Sequence, residues 1–378
     1  MKRRNSVWLL ACLGALACTG PAAESSDPVA AGDAVAPVTA EAPGPAAGSS
    51  LDPSPYADLE GSVVVDGSST VFPITEKVAA LFESLAPTAS VSVGVSGTGG
   101  GFEKFCQGQI DITGASRPIK TAEAERCEAT GIRPVELPLA FDGLSVVVHG
   151  DNGWCSCLTV DELARIWHPD AEDRLLRWRQ LRPEWPDEPI RLYGPGRDSG
   201  TFDYFTRAIL GTEGESRNDF VGSEDDYLLA QDISKDPGAL GFFGHAYYHE
   251  HRDRLNLVAI DGGAGCVVPD VEAIGAGRYR PLSRPVFLYV AAAALDRPAV
   301  SRFVDLYLSQ ARYLAPEMRY VPLPEGAYEL ARQRLARRLI GSVFDGGSQV
   351  GVSIERLLEL ERRGTAPASA PGGDGGTR

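Results

Sequence analysis

Three short segments combine residue types suited to capturing an anion. DGSSTVFPI (residues 66–74), SGTGGGFEKF (96–105) and GRDSGTFDYF (196–205) each place glycine, serine and threonine between a strand-like and a helix-like run. The first turn of a helix leaves backbone N–H groups without partners and carries the positive end of the helix dipole. An oxyanion satisfies both. Hydroxyls on Ser69, Thr70, Thr98, Ser199 and Thr201 add donors, and glycine lets backbone approach closely. One such junction is ordinary helix capping and turn chemistry. Three in one chain suggest helix N-termini converging on one oxyanion.

Other chemistry has less support. No lysine lies in these loops, as a nucleotide-hydrolysing P-loop would require. Asp198-Ser199 belongs to no G-x-S-x-G elbow, and no histidine has a recognisable triad role. His245, His249 and His251 crowd the stretch GHAYYHEHRD, which suits either a metal or an exposed helix end. Trp154, Trp167, Trp178 and Trp185 read as core, because Trp167 follows helical spacing. No cofactor is indicated.

Aiming three helix N-termini at one point requires strands that deliver each loop. Strand and helix patterns do alternate. SVVVDG precedes a helix over 74–85 with Val78, Leu81, Phe82 and Leu85 on one face, and VSVGVS precedes GFEKFCQG. QIDITGAS precedes a helix over 121–130, and LSVVVHG is a further apolar strand. LTVDELARIWHP reads as a helix entered through Thr159, PIRLYG as a strand and TFDYFTRAIL as a helix. RPVFLYVAA is a strand, and 299–314 is a helix. The alternation predicts an α/β fold with mixed or parallel sheets.

A chain of 378 residues, 43% hydrophobic and 23% charged, is globular and long enough for two domains. Its formal net charge of -15 argues against nucleic acid or anionic lipid as the main partner. Lys2, Arg3 and Arg4 precede a short apolar run over 7–17, the pattern of an export signal. The run ends in ALAC, which resembles a lipoprotein signal over 1–18 with lipid on Cys18, although Leu16 stands two residues before the cysteine; LLAC at Cys12 is the competing site. Residues 19–57 are rich in Ala, Pro, Gly and Ser and read as a disordered linker, as does the tail over 364–378. Export places Cys106, Cys127, Cys155, Cys157 and Cys266 in an oxidising compartment. Five is odd, so at most two bridges form, and one between Cys155 and Cys157 would be strained. The pairings favoured are Cys106–Cys127 and Cys157–Cys266 with Cys155 free; zinc is the rival use, for which paired C-x-x-C knuckles are lacking.

The segments DGSSTVFPITEKVAALFE, SGTGGGFEKFCQGQIDITGASRPI, PGRDSGTFDYF, PGALGFFGHAYY and YVPLPEGAY resemble, in order and spacing, the phosphate-binding protein of phosphate ABC transporters. The likeness covers nearly all of residues 61–345. It implies a two-lobed type 2 periplasmic binding protein fold with two hinge crossover strands, near 142–145 and 283–287. Lobe one would comprise 61–142 plus 286–363, and lobe two 143–285. It implies inorganic phosphate as ligand and a membrane ABC phosphate permease as partner; a monomer is expected, and the N-terminal signal adds attachment to the membrane through lipid only and a periplasmic or cell-surface location. It implies no catalysis.

Matched position by position, the ligand set becomes Ser69, Thr70 and the Val71 amide; Thr98 and Gly99; Ser116 and Arg117; and Ser199, Gly200 and Thr201. Two departures stand out. The enteric pattern has an aspartate directly after AS, which accepts the proton of hydrogen phosphate and rejects sulfate; this chain has Arg117 there. That pattern also has an arginine four residues before the SGT serine; this chain has Pro195, with Arg197 two before. Arg117 is therefore expected to supply the missing guanidinium fork, against the alternative of a surface or interlobe salt bridge. Asp198, Asp142 and Asp111 are the candidates for accepting the proton. Another oxyanion (sulfate, arsenate or an organic phosphate) and a phosphatase-like lipoprotein are the alternative functions.

Overall fold

The computed structural model describes residues 51–366 apart from Asp345, Gly347 and Ser348. The signal over 1–18 with Cys18, most of the linker and most of the tail lie outside the described residues.

The chain opens with β1 (Gly61–Gly67), α1 (Phe72–Leu85), β2 (Ala89–Val93), α2 (Gly97–Cys106), β3 (Ile112–Ala115) and α3 (Thr121–Ala129). The long β4 (Pro134–His149) leads to β5 (Cys157–Thr159), α4 (Val160–Trp167), α5 (Trp178–Leu181), β6 (Arg191–Pro195), α6 (Gly200–Leu210) and β7 (Val221–Ser223). Next come α7 (Asp226–Ile233), β8 (Ala239–Gly244), α8 (His245–His251), β9 (Leu255–Asp261), β10 (Cys266–Val267) and α9 (Val271–Gly275). Then β11 (Ser283–Ala291), α10 (Pro298–Glu317), β12 (Val321–Pro322), α11 (Glu325–Arg337) and α12 (Ile354–Thr365) follow.

These elements form a two-lobed α/β fold. In one lobe the strand order is β2-β1-β3-β11-β4, with β1 parallel to β2 and β3 and with β11 antiparallel to β3 and β4. In the other, β4 continues into β8, β6 and β7, and β9 also pairs with β4. The sixteen residues of β4 are buried almost throughout because both faces of the strand are covered. Its first part lies against β11, while Leu144 to His149 lie against β8 and β9. β4 and β11 are the strands that cross between lobes. Two buried tyrosines brace them: Tyr204 Oη donates to Ser283 O at 2.6 Å, and Tyr279 Oη donates to Leu144 O at 2.6 Å.

Helices bury their apolar stripes on these sheets. α1 lays Ile74, Val78, Leu81 and Phe82 against the first lobe, where Phe82 meets Phe303 of α10 edge-on at 5.4 Å. α4 buries Trp167 against Phe205 and Phe242. Disulfides Cys106–Cys127 and Cys157–Cys266 close, and Cys155 is free and buried. Cys106–Cys127 ties the C-terminal end of α2 to α3, fixing the helix whose first turn carries the glycine run.

Order begins earlier and ends later than composition suggests. Tyr56, inside the stretch read as linker, packs edge-on against Phe82 at 6.1 Å, and Leu51 and Leu59 also rest on the core. α12 continues through Gly364 to Thr365, where the buried Thr365 hydroxyl donates to Glu361 O at 2.8 Å. Three apolar anchors and one capping bond outweigh local composition at these ends.

Candidate functional site

α1, α2 and α6 bring their N-terminal turns together between the lobes. SGTGGG is not a loop ahead of a helix, as the pattern GFEKFCQG suggests, but the helix's own first turn. Close packing demands the glycines. A methyl at Gly101 would lie 2.4 Å from Thr113 Oγ1 and 2.6 Å from the Gly67 Cα. One at Gly97, where φ is +73°, would lie 2.6 Å from Asp198 O in the opposite lobe.

Thr70 and Thr201 face each other across the cleft with hydroxyl oxygens 3.1 Å apart. Thr98 and Ser116 form a second pair, 3.1 Å apart, and Ser116 N–H donates to Thr98 Oγ1 at 3.2 Å. Gly200 closes over that pair, since a methyl on it would reach within 2.5 Å of Thr98 Oγ1 and 2.7 Å of Ser116 Oγ. Ser199 caps α6 by accepting Thr201 N–H at 3.1 Å. Thr70, Thr98, Ser116 and Thr201 are each fully buried, and Ser69 and Ser199 nearly so. Thr70, Thr98, Ser116, Gly200 and Thr201 therefore meet in one closed seam, and the Arg117 side chain lies apart from it.

Two backbone amides are already engaged. Val71 N–H donates to Ser68 O at 3.1 Å inside the turn, and its side chain packs on Gly114. Gly99 N–H donates across the cleft to Asp198 O at 2.6 Å, so it acts here as a closing contact between lobes.

Arg117 corrects the expectation drawn from the resemblance. Its guanidinium does not reach the hydroxyl seam. Nη1 and Nη2 donate to the two Glu123 carboxylate oxygens at 2.8 Å each, Nη1 donates to Pro118 O, and Nε donates to Asp203 Oδ2 at 2.7 Å. Lys120 Nζ shares Asp203 Oδ2 at 2.7 Å. Two carboxylates on facing helices satisfy the fork, and the pair with Asp203 crosses from one lobe to the other. The physical cause is placement: Glu123 sits in the first turn of α3, next to the Arg117 turn, and Asp203 lies one turn into α6. Arg197 also points away, to Gly214 O and Asn218 Oδ1.

The cation at the seam is Arg284, which the spacing of motifs did not reveal. It is 1% exposed. Its Nη2 donates to Thr201 Oγ1 at 2.8 Å, Thr70 Oγ1 at 3.2 Å and Asp142 Oδ2 at 3.1 Å, and Nη1 donates to Gly200 O at 3.2 Å. The one available signal was an arginine at the head of the otherwise apolar RPVFLYVAA. Asp142 is held opposite it, and burial pushes its carboxyl up to about 6 despite the opposing pull of Arg284. Asp226, at the start of α7, is a second buried carboxylate nearby; burial pushes it up to about 7. Asp111 binds Val64 N–H and Arg297 away from the seam, and Asp198 is exposed, so of the three aspartates named from sequence only Asp142 is here.

Two other chemistries are placed elsewhere. Ser145 Oγ and His245 Nδ1 are 2.8 Å apart, but both side chains are buried, and burial lowers His245 to about 4. Among the described residues, no group of three or more His, Cys, Asp or Glu side chains is arranged to hold a metal ion, and no helix is long and apolar enough to cross a membrane.

Comparison with known proteins agrees with this architecture. The profile of the PBP superfamily domain matches residues 39–311. SphX from Synechocystis sp. is 48% identical over 301 residues, covering 79% of this chain and 90% of SphX. Phosphate-binding protein PstS from Staphylococcus haemolyticus is 34% identical over 274 residues, covering 72% of this chain and 84% of PstS. The crystal structure of a possible phosphate binding protein from Planctomyces limnophilus is 44% identical, with a TM-score of 0.55, covering 75% of this chain and all of that one. The fold is that of a type 2 periplasmic binding protein, and the chain belongs to the PBP superfamily, in one family with SphX and PstS.

Proposed function

We propose that this chain is an extracytoplasmic receptor that closes its lobes over inorganic phosphate and passes it to a membrane ABC permease. The observation that carries this reading is Arg284. One buried guanidinium bridges hydroxyls from both lobes, Thr70 and Thr201, where the N-terminal ends of α1 and α6 meet. A tetrahedral oxyanion offers acceptors in the directions these donors point, and charge-assisted bonds from arginine are the strong ones. Ser69, Thr98, Ser116, Ser199 and Gly200 supply the surrounding wall. The relatives named for phosphate binding favour phosphate over other oxyanions.

Lobe one comprises 61–142 with 286–363 and lobe two 143–285, and the ligand shifts an open–closed equilibrium by bridging them. The two disulfides favour an oxidising compartment outside the cytoplasm, with Cys18 lipidated and the linker acting as a tether. The chain acts as a monomer. Binding rather than catalysis is favoured because Ser199 is committed to its cap and the Ser145–His245 pair is shut away from the cleft. Equilibrium dialysis of refolded, phosphate-free protein against labelled phosphate, with sulfate as competitor, tests the reading. Retention of phosphate in molar excess of sulfate supports it, and equal displacement by sulfate overturns phosphate selectivity.

A further inference from the structure

Two buried phenols hold the turn that carries Thr70. Tyr247 Oη donates to Ser69 O at 2.7 Å, and Tyr320 Oη donates to Thr70 O. They come from opposite sides. Tyr320 lies directly before β12, which pairs with the first part of β4 in the same lobe as the turn. Tyr247 lies on α8 and reaches across the cleft, while its ring packs in a small apolar cluster with Val147, Leu229, Ile233 and Phe243 of its own lobe. It belongs to the stretch PGALGFFGHAYY, from which the ligand set takes no residue.

A carbonyl held in place fixes more than itself. Ser69 C=O and Thr70 N–H share one planar trans peptide, so they point in opposite directions and turn together. Val71 N–H and Phe72 N–H both reach Ser68 O, whereas Thr70 N–H has no acceptor among the described residues. Thr70 is fully buried, and a buried N–H without a partner is rare in a folded protein. Its hydroxyl already faces Thr201 and Arg284 in the seam. The opposite lobe also grips Ser69 by its side chain, whose hydroxyl donates to the Asp226 carboxylate.

We propose that Tyr247 is a positioning residue for the oxyanion: on closure its hydroxyl locks the Ser69–Thr70 peptide and aims the Thr70 N–H into the site. The inference rests on the phosphate reading of the cleft. Because the bond joins two lobes, it exists only when they are closed. It therefore acts on retention of the ligand rather than on its first encounter. Tyr320 steadies the same turn in open and closed forms alike, since phenol and turn belong to one lobe.

Tyr247→Phe keeps the ring in its apolar cluster and removes only the hydroxyl. Isothermal titration of the phosphate-free full chain with inorganic phosphate gives Kd, and chase of bound labelled phosphate gives the dissociation rate. Tyr247→Phe should raise both by the same factor of about ten, the worth of one buried hydrogen bond, and leave the association rate native. The phosphate-free variant should melt as the native chain does, whereas Tyr320→Phe should melt lower. An unchanged dissociation rate with a lowered phosphate-free melting temperature makes Tyr247 a packing residue and overturns the inference. A loss carried by the association rate overturns it too, since the bond would then precede closure. Hydrogen exchange on the native chain needs no variant: added phosphate should protect 68–72 and 245–249 together, and protection of one without the other contradicts the coupling. If the native chain binds no phosphate, the phosphate reading itself falls, and the inference with it.

Discussion

Arg284 and Asp142 stand opposite each other in register on β11 and β4, with Nη2 3.1 Å from Oδ2, at the point where both strands cross between the lobes. The pairing holds the only guanidinium that touches hydroxyls from both sides of the cleft among the described residues. Binding and hinge therefore share one ion pair, which orients the fork so that the same Nη2 also meets Thr70 and Thr201 while Nη1 reaches Gly200 O.

Replacing Arg284 should cost affinity more than fold. Arg284→Lys keeps a charge but loses the planar fork, and phosphate affinity should fall about a hundredfold, the equivalent of two charge-assisted bonds. Arg284→Ala should fall further and also lower the melting temperature, because it leaves Asp142 buried without its partner. Titration of each variant alongside its thermal unfolding curve separates the two effects.

Arg117–Asp203 should act as a latch between lobes. Asp203→Asn leaves Arg117 its bidentate Glu123 partner but removes the carboxylate charge that Arg117 and Lys120 share across the cleft. Unliganded Asp203→Asn should be more open by small-angle scattering, with phosphate affinity lowered about tenfold for each 1.4 kcal/mol of closure lost. Glu123→Gln breaks the contact within one lobe instead. It should lower stability without the same change in scattering.

Gly200→Ala tests closure sterically. The added methyl would lie 2.5 Å from Thr98 Oγ1 and 2.7 Å from Ser116 Oγ, both in the facing lobe. Each lobe keeps its own core, so circular dichroism and melting should change little. Phosphate affinity should drop at least about tenfold, since a clash of that size exceeds 1.4 kcal/mol.

Stability should respond to pH through the two buried aspartates. Asp142 and Asp226 titrate higher in the folded chain than in the unfolded one, at about 6 and 7. Between about pH 4 and pH 7 the folded state therefore binds more protons, and their contribution to stability is present at the acidic end and lost as pH rises. Denaturant unfolding across that window should show a shallower decline for Asp142→Asn and Asp226→Asn than for the native chain. An identical slope would mean the carboxylates titrate normally.

Local patterns announced the loops and hid their partners. Ser, Thr and Gly before an amphipathic run have a meaning that stays within ten residues, so Thr70, Thr98 and Thr201 were legible as members of a donor-rich seam. Arg284 was not, because its neighbours lie 142 residues away at Asp142 and 83 away at Thr201 and are set by strand register. Asp226 was masked by Asp225, which caps α7 and makes the adjacent acid look like ordinary first-turn chemistry. Arg117 was misassigned for a related reason. An arginine beside a ligand loop suggests a ligand, but Glu123 and Asp203 reach it first through the placement of α3 and α6.

Isothermal titration of the refolded, phosphate-free protein with phosphate, repeated with Arg284→Lys, tests the central claim most directly. The account predicts one saturable site per chain for phosphate, strongly weakened in the variant. Equal affinity in native protein and variant would contradict it, because the anion would then be held without the guanidinium that joins the two lobes.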